Sequence, residues 1–273
     1  MSAQTFADLE TPSLLLDENK LARNIARMGA RVSAAGVRFR PHIKTAKSME
    51  ICRRALDRDS GVTVSTLAEA EYAFENGVSN ILYAVGMAPN KLVRAAALRT
   101  KGADLTLAVD SIDAAAAISS FGEYSGQRIP VVIEIDSDNH RAGVAPLSTE
   151  VRLIASALAA SRGTRYRGLM THAGGSYECR SIEAIKAVAE NERRAVVDTA
   201  DMLRSEGLDS EIVSIGSTPT ATFGERFDGV TEIRMPAGSG IAGAVFRKGE
   251  AVIVPDAYAD PRFNPEVDRK SGF

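Results

Sequence analysis

The chain has 273 residues, 45% apolar and 25% charged, with a formal net charge of −2. That is the make-up of a soluble globular protein long enough for one barrel of ordinary size, and its near-balanced charge gives no case for a nucleic acid or an anionic membrane as partner. Cys52 and Cys179 stand far apart and outside any metal-ligand spacing, so neither a disulfide framework nor a zinc ribbon is suggested, and a reducing cytoplasm fits. Residues 1–10 lack a positive segment leading into an apolar one, and no apolar run reaches about 18 residues, so neither a signal peptide nor a membrane span is expected.

In chain order, Leu14 to Asp17 reads as a short strand after Pro12, and Asp17 as the cap of a helix whose apolar face is Leu21, Ile25 and Met28 and whose stop is Gly36. Val37, Phe39 and Ile43 read as a buried strand, followed by a helix from Lys47 to Leu56. The alternation continues. Strands at 61–66, 80–85, 104–110, 130–136, 166–172, 211–216 and 230–235 are near-continuous apolar runs, and between them the helical patterns cover 67–76, 89–99, 111–120, 148–161 and 181–204, with a short piece before the last strand. Strands without strict alternation are buried on both faces. Eight strands counted from the one before Lys44 predict a closed (β/α)8 barrel of the TIM type over residues 1–235. An open doubly wound sheet is the runner-up, but no Gly-x-Gly-x-x-Gly turn follows the first strand. Beyond Pro236 the chain turns glycine- and proline-rich, which predicts a short extension outside the barrel.

Chemistry-bearing residues collect at the carboxyl ends of the strands, the catalytic face of such a barrel. Lys44 stands in Arg40-Pro-His-Ile-Lys-Thr45, where a lysine of lowered pKa would form a Schiff base with a carbonyl; the plain alternative is a solvated surface lysine. Arg141 lies in the loop after the fifth strand and would otherwise pair with Asp136 or Asp138. His172 ends the sixth strand, with Tyr177 close behind, and is otherwise a hydrogen-bonded structural histidine. Gly216, Ser217 and Thr218 form a small hydroxyl-bearing turn that suits a phosphate or, more plainly, caps a helix. Arg234 ends the eighth strand.

These motifs together resemble the D-threonine aldolase and D-serine dehydratase-like family, relatives of alanine racemase, over roughly residues 10–234. The resemblance implies a pyridoxal 5'-phosphate enzyme, a lyase acting on a D-configured β-hydroxy amino acid through a Lys44 Schiff base. Arg141 would reach the ring oxygen and His172 would lie against the ring. Tyr177 would stand at the site, with Lys44 and His172 as the other catalytic groups. Gly216, Ser217 and Thr218 would cradle the phosphate, and Arg234 would approach the ring nitrogen. Three departures stand out: Asp138 where the family has a small residue, Ser217 in place of a second glycine, and Met235-Pro-Ala-Gly-Ser-Gly240 where the family has Pro-Gly-Thr-Tyr.

Family members continue into a β-domain whose His-x-Cys or His-x-Asp pair binds zinc or manganese. His42, His140 and His172 all fall in the barrel, so the resemblance leaves the divalent metal unbound here and lyase activity open. Residues 236–273 instead resemble the second half of a GAF domain, a sensor module. A non-catalytic carrier of the cofactor and a GAF-type sensor fragment are therefore the alternative readings. The family implies a homodimer, with a small amino acid as the only other partner.

Overall fold

The computed structural model describes residues 16–56 and 61–236. Apart from Pro236, the segment resembling a GAF domain lies outside them, as do Leu14 and Leu15 of the first expected strand.

Eight parallel strands close into a barrel in sequence order: β1 (Arg38–His42), β2 (Val62–Val64), β3 (Asn80–Gly86), β4 (Asp104–Val109), β5 (Ile129–Ile135), β6 (Thr164–Thr171), β7 (Ile212–Ile215) and β8 (Glu232–Pro236). The ring shuts where β8 pairs with β1, in a register from Arg38 opposite Glu232 to His42 opposite Pro236. Closure leaves no open sheet edge. The helices are α1 (Glu18–Ala35), α2 (Met49–Ala55), α3 (Leu67–Glu75), α4 (Leu92–Thr100), α5 (Ile112–Ser125), α6 (Thr149–Ala160), α7 (Ile182–Ser205) and α8 (Thr218–Phe223). The expected barrel is therefore the observed fold.

Short polar side chains start seven of these helices. Asp17, Ser48, Thr66, Ser111, Ser148, Ser181 and Ser217 each accept a hydrogen bond from an amide of the first turn, supplying a partner that the helix itself cannot. Two sequence expectations need correction. The helix expected from Lys47 starts at Met49, because Lys47 adopts a left-handed φ of 46° and Ser48 is the cap. The helix expected over 89–99 opens with a 3-10 turn at Pro89–Lys91 before α4 begins.

The strand pleat separates two cores. Outward residues such as Phe39, Ile81, Tyr83, Leu105, Leu107, Val131, Ile133, Leu169 and Ile233 pack under the helices. Inside the barrel, Leu82, Ala108, Val132, Met170 and Ile212 form a smaller apolar plug along one wall. The opposite wall is polar. There Arg40 Nε meets both Glu232 oxygens at 3.0 and 2.9 Å, and the Ser214 hydroxyl donates to Glu232 at 2.8 Å. Arg40 Nη1 also donates to Asn80 Oδ1 at 2.9 Å. Burial alone would push Glu232 toward its neutral form, but Arg40, the Ser214 hydroxyl and Arg234 outweigh it and hold the carboxyl below its ordinary pKa. Through Ser214 the pair connects to Arg234, at the face where the strands end.

Candidate active site

At the carboxyl ends of the strands a cavity of about 220 Å³ opens, and its walls include His42, Lys44, Glu134, Arg141, His172, Tyr177 and Arg234. Five of the residues singled out from sequence thus share one space: Lys44, Arg141, His172, Tyr177 and Arg234. They come from four different strand ends and were up to 190 residues apart in the chain. Gly216, Ser217 and Thr218 stand just behind this wall rather than among the cavity-lining residues.

The turn after β1 carries Lys44. Its residue is exposed at the mouth, yet partial burial of the ammonium lowers its pKa, and Arg141 and Arg234 lower it further. A larger share of free amine is available there than on an ordinary lysine. His42, at the end of β1, accepts a hydrogen bond on Nδ1 from the Lys44 amide at 3.3 Å, which leaves Nε2 protonated and 3.2 Å from Ser65 Oγ. Burial, then Lys44, Arg234 and His172, take the His42 pKa down to about 3, so the ring is neutral.

Arg141 rides on a loop that folds back onto its own strand. The Asp136 amide donates to Val144 O at 3.0 Å, and the Val144 amide donates to Glu134 O at 2.9 Å. Asp138 does not pair with Arg141; it accepts the Gly175 amide at 2.8 Å, joining this loop to the one after β6. Gly174 is the contact point between the two loops. A Cβ there would lie 2.6 Å from Arg141 Cγ, so the arginine stem rests directly on a bare backbone.

His172 follows β6, and its ring stacks with that of Tyr177 at a centroid distance of 6.0 Å and an interplanar angle of 23°. Burial is the main reason its pKa falls to about 3, with Arg234, Arg141 and Lys44 adding to it. Like His42, it presents a neutral ring. The Tyr177 oxygen accepts the Thr218 amide at 3.4 Å, so the turn expected to cradle a phosphate meets this phenol. Ser217 is fully buried. Its hydroxyl caps α8 at the Thr220 amide, 3.2 Å away, and lies 2.8 Å from Ser176 Oγ, which makes it a rim tie rather than a free donor. Gly216 allows β7 to end against β8, since a Cβ there would meet Arg234 O at 2.3 Å.

Arg234 is aimed by two contacts: Nη1 donates to Ser214 Oγ at 2.6 Å and Nη2 to Thr171 O at 2.5 Å. Two carboxyls complete the arrangement, and neither was singled out from sequence. Glu134 on β5 is only 8% exposed and lines the cavity; burial raises its pKa to about 7, Arg234 and Arg141 oppose that, and Asp110 and Asp136 reinforce it. Glu192 on α7 is wholly buried behind the rim. Both carried a readable signal. Glu134 is a charge inside the apolar run Val131-Val-Ile-Glu-Ile135, and Glu192 falls on the apolar stripe of Ile185, Ala189, Val196 and Leu203. Lys44, Arg141 and Arg234, two neutral imidazoles and a carboxyl of raised pKa thus face one cavity, whose lining is rich in positive charge.

Comparison with known proteins agrees in fold and family. Residues 16–243 match the alanine racemase N-terminal domain. The chain belongs to that family. Among its relatives, D-threo-3-hydroxyaspartate dehydratase of Delftia sp. (strain HT23) is 49% identical over 232 residues, covering 84% of this chain and 61% of the relative. A solved structure of a D-threo-3-hydroxyaspartate dehydratase mutant in the metal-free form superposes with a TM-score of 0.86 at 45% identity, over 89% of this chain and 65% of that one. D-threonine aldolase from Filomicrobium marinum gives a TM-score of 0.79 at 29% identity, over 95% and 68%. The chain spans less than two thirds of the length of the curated relatives it matches. Among the described residues no helix is long and apolar enough to cross a membrane, and no cluster of three His, Cys, Asp or Glu side chains has the geometry to hold a metal ion.

Proposed function

We propose that this alanine racemase-type barrel binds pyridoxal 5'-phosphate at Lys44 and serves a lyase reaction on D-configured β-hydroxy amino acids. The observation that carries the reading is the meeting of Lys44, Arg141, His172 and Arg234 around one cavity, with the lysine pKa lowered by its surroundings. The donor set fits the cofactor: an amine for its aldehyde, guanidinium groups for its oxyanions, and uncharged imidazole faces beside its ring. Names of similar proteins point the same way, since they include D-threo-3-hydroxyaspartate dehydratase, D-serine dehydratase and 3-hydroxy-D-aspartate aldolase.

When bound, the cofactor supplies the electron sink for the bond broken in the substrate. The residues of this chain do the rest. Lys44 Nζ would hold the cofactor and, when free, would take the proton from the substrate's α-carbon, a task suited to an amine whose pKa its surroundings lower. His172 packs as a neutral surface that competes for no proton above about pH 3. Tyr177 closes the mouth from the β6 side, and its phenol stands within reach of the turn at Gly216, Ser217 and Thr218 that would hold the phosphate. Arg141 would reach the ring oxygen, and Arg234, held by Ser214 and Thr171, would approach the ring nitrogen.

The test is an absorbance titration of the purified chain with pyridoxal 5'-phosphate, before and after borohydride, beside Lys44→Ala. A visible band that borohydride fixes to the parent protein and that is missing in the variant supports the reading. A parent chain without such a band at saturating cofactor refutes it. Turnover of D-3-hydroxyaspartate, D-serine and D-threonine, with and without a divalent metal, then separates a lyase from a carrier of the cofactor.

A further inference from the structure

Behind the cavity, one carboxyl joins two strand ends. Glu192 projects from α7, is 0% exposed, and its Oε1 accepts the Ala173 amide at 2.9 Å and the Gly216 amide at 3.1 Å. Those amides belong to residues just past the last ladder positions of β6 (Thr171) and β7 (Ile215), where the backbone has run out of strand partners. A buried amide without an acceptor costs free energy, and here a single oxygen serves both. The neighbours of the two amides are one residue that lines the cavity, His172, and two of the turn behind its wall. His172 precedes Ala173, and Ser217 and Thr218 follow Gly216, itself pressed against Arg234 O with no room for a Cβ. A second, uncharged tie between the same rims is the contact of Ser176 with Ser217, at 2.8 Å.

We infer that Glu192 is a positioning residue: from outside the barrel it sets the separation of the β6 and β7 rims, and so the placing of His172 relative to the Gly216–Thr218 turn. The inference rests on the proposed cofactor reading, since those rims would grip the ring and the phosphate of the same molecule. Glu192 touches neither cofactor nor substrate, and its part is to hold backbone that does. What the two amides require is an acceptor oxygen at the reach of Oε1; burial raises the pKa of the carboxyl, opposed by the Thr220 hydroxyl, the two amides and Arg234.

The test compares dissociation constants for pyridoxal 5'-phosphate and for pyridoxal, which lacks the phosphate, in the parent chain and in Glu192→Gln, Glu192→Asp and Glu192→Leu. Folding is checked by circular dichroism. Gln keeps an acceptor at the same reach and is expected to bind both ligands within about threefold of the parent. Leu removes the acceptor and Asp withdraws it by one methylene. Each should weaken pyridoxal 5'-phosphate by about tenfold or more, on the scale of two lost hydrogen bonds, and pyridoxal by much less. If Leu does not fold, Asp carries the comparison. Equal losses for the two ligands, unchanged affinity in Asp and in any folded Leu variant, or a Gln variant as impaired as Asp overturns the inference. A parent chain that binds no pyridoxal 5'-phosphate overturns the cofactor reading and the inference with it, whereas failure confined to the variants overturns the inference alone.

Discussion

Glu134→Gln, made in the protein without cofactor, tests the electrostatics of the pocket directly. A carboxyl at the floor of the cavity is 8% exposed and its pKa moves from 4.5 to about 7. Below pH 4.5 the group is neutral folded or unfolded and contributes no pH dependence. Between 4.5 and about 7 the native state keeps the proton that the unfolded chain releases, so stability falls as pH rises, and above about 7 the loss is complete. A shift of this size corresponds to roughly 3 kcal/mol, a sizeable part of the 5–15 kcal/mol that holds a domain together. Arg234 and Arg141 reduce the cost, and Asp110 and Asp136 increase it. Gln has the same shape and no titration. Urea unfolding of parent and variant at pH 5 and pH 8 should therefore show Gln gaining about 2.5 kcal/mol on the parent, since part of the loss is already present at pH 5. His42 and His172 have folded pKa values depressed to about 3, so they cost stability as pH falls below 6.5. That contribution is common to both proteins and cancels in the difference. Parent and variant curves that stay parallel in pH would refute the argument that burial dominates at this position.

Two further outcomes follow from the packing. Glu232→Leu strands the Arg40 guanidinium in the barrel interior, where it is 4% exposed, and should cost about 3–5 kcal/mol; adding Arg40→Met should recover most of it, as read from denaturant midpoints. Gly174→Ala places a methyl against the stem of Arg141, so cofactor titration should show weaker binding while the unfolding free energy changes by less than about 1 kcal/mol.

The barrel was readable because its strands are buried on both faces and leave continuous apolar runs, while Ser111, Ser148 and Ser181 mark where helices begin. That Lys44, Arg141, His172, Tyr177 and Arg234 would share one space was readable because a parallel barrel sends each strand's carboxyl end to the same face. The turn at Ser217 and Thr218 was less so: hydroxyls that suit a phosphate also suit a helix cap, and Ser217 is engaged as the cap. Residue pattern cannot settle which partner a hydroxyl takes. Glu134 and Glu192 are acids in apolar surroundings, and periodicity places them correctly but is silent on what they face. Lys47 was misplaced in a helix because a single left-handed residue before Ser48 leaves no trace in apolar spacing.

The loop that bears Arg141 has its two ends bonded to each other, through Asp136 to Val144 and Val144 to Glu134. Such a self-fastened segment behaves as a cassette. The clasp itself depends on Gly143, which has a φ of 130° and a bare Cα where a Cβ would lie 2.5 Å from the Asp136 amide nitrogen, so the freedom to vary lies in residues 139–142, between the anchor at Asp138 and that glycine. The part of the cavity wall that Arg141 supplies can thus be rewritten in one short stretch while the strands that close the ring stay as they are.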